Sequence, residues 1–124
     1  MDPTFTKMLI ALLLLPVIII SGIYLRKKSR PYKQFPFTVH KTLAIAYIIF
    51  SVLVIIRFFK NYNPAGLMVF LIIITLALMI SSFVTGALQS FEKPPHSIII
   101  VTHKVSSYLL SLSLPLTFFL IYYL

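Results

Sequence analysis

Four apolar stretches, each long enough to cross a bilayer, follow one another along this chain with little between them. They run from about Met8 to Leu25, Thr38 to Phe59, Ala65 to Leu88 and Ser97 to Tyr122. A membrane-crossing helix needs about 20 apolar residues. No stretch shows the period-two alternation of a barrel strand, and backbone in lipid must bond to itself, so helices are predicted. The fold class expected is an all-α membrane protein, an antiparallel bundle of four transmembrane helices forming a single domain over residues 1–124. Proline punctuates the connections: Ser29-Arg30-Pro31 and Pro36 in the first, Asn63-Pro64 in the second, Pro94-Pro95 in the third. Pro16 and Pro115 fall inside spans, where kinks are expected.

Composition excludes whole classes of chemistry. The 124 residues contain no cysteine, so disulfides, iron–sulfur clusters and thiolate nucleophiles are out. Asp2 and Glu92, far apart in the chain, are the only side-chain carboxylates, which leaves no acid/base pair of the glycosidase kind. The net charge is still +9. Arg26, Lys27, Lys28, Arg30 and Lys33 share the first loop, and such an excess marks the cytoplasmic side. A multi-pass protein of the cell membrane is expected, with both termini outside. Aromatic belts are expected at Phe58, Phe59, Tyr62, Phe118, Phe119, Tyr122 and Tyr123 on the outer face. Tyr24, Tyr32, Phe35, Phe37 and Phe91 would form the inner belt. The basic loop suits anionic headgroups or an acidic partner, and no nucleic-acid role is expected.

Chemistry is left to His40, His96 and His103, all in the cytoplasmic half by this topology. His40 and His103 stand near the starts of the second and fourth spans, and each is followed by lysine, Lys41 and Lys104. The repeated His-Lys hints at an internal duplication of a helical hairpin. Two histidines from non-adjacent helices at one depth suit the two axial positions of a haem iron. Small residues gather at that level: Ser21, Gly22, Ser81, Ser82, Thr85 and Gly86, with Ala44, Ser106 and Ser107 on the histidine helices. Lys41 and Lys104 would pair with anionic propionates. A plainer reading is also open. Small residues line any membrane helix interface, and His and Lys near span ends also serve as interfacial anchors. His96 follows Pro94-Pro95 about two turns before His103. It is a candidate propionate partner, a proton relay at a quinone pocket, a substitute ligand for His103, or a solvated loop residue.

The His40-Lys41 and His103-Lys104 pairs on apolar helices resemble the small membrane b-type cytochromes and the membrane haem subunits of quinone-linked oxidoreductases. The ascorbate-reactive b-type cytochromes are similar in setting histidine pairs on core helices. They carry two pairs, whereas this chain has no histidine in its outer half. The resemblance implies one haem b near the cytoplasmic face, with His40 and His103 as iron ligands. Lys41, Lys104 and His96 would stand around the cofactor, and electrons would pass to a quinone or a partner redox protein. Two other functions compete. One is a cofactor-free structural or assembly subunit among other membrane subunits. The other is a small transporter, disfavoured because the mid-depth residues Ser51, Thr75, Ser111, Ser113 and Thr117 include no carboxylate.

Overall fold

The computed structural model describes residues 3–27, 34–64, 66–89 and 96–123. The connection residues Lys28, Arg30, Pro31, Tyr32 and Lys33, and likewise Phe91, Glu92, Lys93, Pro94 and Pro95, lie outside the described residues. Among the described residues there are four helices and no strand: α1 (Pro3–Arg26), α2 (Gln34–Asn61), α3 (Gly66–Leu88) and α4 (Ser97–Tyr123). All four are long and apolar enough to cross a membrane. Two helices extend beyond their apolar stretches. α1 begins five residues before Met8, on Pro3, since proline suits a first turn whose N–H needs no partner. For the same reason Pro36 lies in the first turn of α2 rather than in the connection. Pro16 and Pro115 are accommodated inside α1 and α4.

Contacts divide the chain into two compact units, Met1–Asn61 and Tyr62–Leu124. Each unit is an antiparallel hairpin, α1 on α2 and α3 on α4. The whole chain reads from its sequence as one transmembrane domain; the packed unit within it is the hairpin.

The two hairpins bury corresponding positions. Counting back from Gly22 in α1, the buried residues are Leu15, Ala11 and Met8; counting back from Gly86 in α3, the same steps reach Met79, Thr75 and Ile72. Counting forward from His40 in α2, the buried residues are Tyr47, Ser51, Val54, Ile55 and Phe58; from His103 in α4 the same steps reach Leu110, Leu114, Thr117, Phe118 and Ile121. The steps alternate mainly between three and four residues, the spacing of a left-handed helix–helix seam. Leu25, Met68, Thr85 and Ser106 are buried without a buried counterpart. The duplication hinted at by two His-Lys pairs thus extends through the packing of both hairpins.

The seam also corrects the aromatic belt. Phe58 and Phe118 are core residues, at 3 % and 1 % exposure. Their neighbours Phe59, Tyr62, Phe119, Tyr122 and Tyr123 are exposed. Within these clusters the Phe119 and Tyr123 rings lie 4.6 Å apart and those of Tyr122 and Tyr123 5.1 Å apart.

Polar contacts hold the second hairpin at three levels. Thr75 Oγ1 meets the hydroxyls of Ser113 and, at 3.1 Å, Thr117. Ser82 and Ser107 join hydroxyl to hydroxyl at 2.8 Å. His103 forms the third level. Thr75, Ser106 and Thr117 also each donate to a carbonyl one turn back on their own helix, at 2.9, 2.7 and 2.8 Å. In an apolar medium these bonds keep hydroxyls from being stranded.

Candidate functional site: two histidine half-sites

Each hairpin builds one half-site, and both are built alike. His40 is the seventh residue of α2 and His103 the seventh of α4, about 9 Å along each axis at 1.5 Å per residue. Each imidazole brings its Cε1 up against a glycine of the preceding helix. A Cβ added at Gly22 would come 3.1 Å from His40 Cε1, and one at Gly86 would come 3.0 Å from His103 Cε1. Any larger residue would push the ring away. The space beside the two glycines, expected to make room for a macrocycle, is therefore filled by the hairpin's own imidazole.

Hydrogen bonds then orient the rings. Ser21, the residue before Gly22, donates its hydroxyl hydrogen to Ile18 O at 2.9 Å, and its oxygen lies 2.7 Å from His40 Nδ1. A hydroxyl has one hydrogen, so with that hydrogen on Ile18 O the second contact is donated by Nδ1, and with it turned to the ring Nδ1 accepts. Thr85, the residue before Gly86, does the same: it donates to Ser81 O at 2.7 Å and lies 3.2 Å from His103 Nδ1. His103 Nδ1 also lies 2.9 Å from Ser82 O. A carbonyl only accepts, so His103 Nδ1 carries a hydrogen. In a neutral ring with Nδ1–H, the other nitrogen, Nε2, holds the lone pair. Both rings are half-buried.

His96 is wired the opposite way. Its Nδ1 accepts from Ile98 N–H at 3.2 Å, and its carbonyl accepts from Ile99 N at 3.0 Å. It is the exposed cap of α4, which satisfies amide hydrogens that the first turn leaves without helical partners. Of the four roles open to it from sequence, the solvated position is the one this geometry describes.

Lys41 and Lys104 are exposed, each next to its histidine in sequence. Lys41 Nζ stands 4.8 Å from the centre of the Phe37 ring, a cation–π distance. Of the small residues at this level, Ser21, Gly22, Ser82, Thr85 and Gly86 touch a histidine ring. Ser107 acts at second hand through Ser82, and Ser106 bonds back along its own helix. Among the described residues no group of three or more His, Cys, Asp or Glu could hold a metal ion on its own. A haem iron takes its equatorial ligands from the porphyrin and asks only axial ones of the protein. Sequence reasoning named the histidines and the small residues, but not that each ring belongs to the glycine of its own hairpin.

Fold and half-sites together define a multi-pass α-helical membrane protein with two imidazoles set alike, each against a glycine of its own hairpin. No protein-family model, curated protein or solved structure matches the chain.

Proposed function

We propose that this is a membrane electron-transfer protein, or a subunit of one, holding one b-type haem between the axial ligands His40 and His103. The observation that carries the reading is the wiring of the two rings. Protein imidazoles that bind metals nearly always donate the other ring N–H to an acceptor, which fixes the tautomer and leaves one lone pair for the metal. His103 donates Nδ1–H to Ser82 O, which puts its ring lone pair on Nε2, and His40 Nδ1 stands 2.7 Å from the Ser21 hydroxyl, which accepts from it whenever its own hydrogen goes to Ile18 O. A haem so ligated takes up and releases one electron at a time, and exchange would be with a quinone or a partner redox protein. Gly22 and Gly86 set where the rings stand, and Lys41 and Lys104 supply cations for the propionates. The reading keeps the basic first loop cytoplasmic in the cell membrane, on the strength of its charge excess.

Absorption spectroscopy of the purified protein tests this. Expected is a Soret band with sharp reduced-state bands of a six-coordinate haem, lost in His40→Ala and in His103→Ala and kept in His96→Ala. Haem retained by the His40→Ala, His103→Ala double variant, or no haem in protein made with ample haem supply, refutes it.

One observation favours a second reading, a cofactor-free structural subunit of a larger membrane complex. Each imidazole fills a glycine notch and thereby locks two helices together. On that reading His103→Ala loosens α3 from α4 and no spectrum changes.

A further inference from the structure

The two hairpins share a seam but not a charge. Nine of the eleven lysines and arginines, with Asp2, fall in Met1–Asn61; Lys93 and Lys104, with Glu92, are the second hairpin's share. Two side-chain carboxylates can neutralise only two cations, so most of the counter-charge comes from outside the chain.

In the first hairpin the cations stand at both ends. Lys7 and Arg26 on α1 are 19 residues apart, and so are Lys41 and Lys60 on α2. At 1.5 Å per residue that is about 29 Å, close to the thickness of a bilayer's hydrocarbon core. Along α2 one outward face runs between the two lysines at spacings of three and four: Lys41, Ile45, Ile49, Leu53, Ile56 and Lys60, all exposed. Lys41 Nζ lies over the Phe37 ring, one turn nearer the helix start, so its ammonium reaches toward the membrane surface. α4 repeats this face position for position with Lys104, Tyr108, Leu112, Leu116, Phe119 and Tyr123, all exposed. The charge differs at one cap only: Tyr123 stands where α2 has Lys60. Arg57, also exposed, adds a second cation at the Lys60 end.

We propose that the outward face of α2 is a binding surface for anionic phospholipid, with Lys60 holding the headgroup at one membrane face and Lys41 at the other, and that α4 lacks this preference at its Tyr123 end. An apolar face ending in tyrosine suits any phospholipid, and one ending in a cation also attracts negative headgroups, about fivefold per cation. An acidic protein partner would have to offer matching charge at both membrane faces, whereas headgroups are present at both. The inference goes beyond the cofactor reading and does not depend on it. Lys41 serves both, so the test is built on Lys60 and Tyr123, which the cofactor reading does not use.

Local quenching in full-length protein tests the inference. The chain has no cysteine, so one fluorophore can be placed on Leu53→Cys, in the half of α2 that ends at Lys60, or on the matching Leu116→Cys of α4. The protein is put into phosphatidylcholine vesicles containing increasing amounts of chain-brominated phosphatidylglycerol or chain-brominated phosphatidylcholine. The ratio of the two quenching strengths is the preference at that spot. At Leu53 the anionic lipid should be preferred about fivefold or more, and Lys60→Tyr should lower the preference about fivefold. At Leu116 the ratio should be near one, and Tyr123→Lys should raise it about fivefold. That second variant adds the charge and leaves the first hairpin untouched. No preference at Leu53, as expected if the cations serve an acidic protein or only orient the chain, overturns the proposal. So does a preference at Leu53 that survives Lys60→Tyr undiminished, or an equal one at Leu116 in the unaltered chain.

Discussion

Replacing Gly86 by alanine puts the ring-on-glycine contact to a quantitative test. The new Cβ would stand 3.0 Å from His103 Cε1 and 3.4 Å from Nδ1, where ordinary contact begins at 3.4 Å. The imidazole must retreat from α3 by a few tenths of an ångström. Its Nδ1 bond to Ser82 O is 2.9 Å long and ends on α3 too, so the retreat stretches it to the edge of the hydrogen-bonding range. Weakening that bond costs about 0.5–1.5 kcal/mol. Holding the ring off its rotamer costs about as much again. Alanine also favours the helix over glycine by up to about 1 kcal/mol, which masks part of the loss. A double-mutant cycle removes the mask: in a His103→Ala background the new methyl meets no ring, and only the helix gain remains. The coupling between Gly86→Ala and His103→Ala should be about 1–3 kcal/mol. The chain has no cysteine, so dyes on Leu67→Cys and Tyr122→Cys can report opening of the α3–α4 hairpin by energy transfer during an SDS titration. Gly22 with His40 should give a similar coupling. Gly66, with nothing near its added Cβ, should give none. Coupling below about 0.5 kcal/mol, the usual limit of additivity, would refute the contact as a determinant of ring position.

Other outcomes follow from the packing. Thr75→Val removes the mid-helix link to Ser113 and Thr117 and should destabilise the second hairpin by about 0.5–1.5 kcal/mol in the same titration. Tyr47 and Ser51 are buried, and their hydroxyls have no partner among the described residues. Tyr47→Phe and Ser51→Ala should therefore be neutral or stabilising by up to about 1–3 kcal/mol each; clear destabilisation of the first hairpin would show that the hydroxyls are bonded after all. Phe118→Ala should destabilise far more than Phe119→Ala, because the first empties a core position and the second faces outward.

The four helices were legible because lipid permits so little else: length, apolarity and proline placement located each span to within a few residues. The helix ends were less legible, since a first turn accepts proline and continues past the apolar stretch, as at Pro3 and Pro36. The belt was misjudged at Phe58 and Phe118 because aromatic identity marks interface and core alike, and only the seam register separates them. His40, His103 and the small residues were visible as a polar minority. The ring hydrogen bonds were not, because they depend on which groups of the preceding helix the folded hairpin brings to each Nδ1. One signal was readable in advance: a hydroxyl residue followed by glycine, one helix upstream of each His-Lys pair, at Ser21-Gly22 and Thr85-Gly86.

That local pairing bears on how the chain enters the membrane. The bonds that hold His40 and His103 span only 19 and 21 residues of sequence. Contacts this short-range form early, and a chain made from its N-terminus completes one hairpin before the next emerges. Each imidazole therefore meets its acceptor as soon as its own helix inserts, without waiting for the rest of the protein. A polar ring that would burden a lone helix in lipid is delivered already satisfied at one nitrogen. Biogenesis can then proceed hairpin by hairpin, with each half-site shaped before any cofactor or partner arrives.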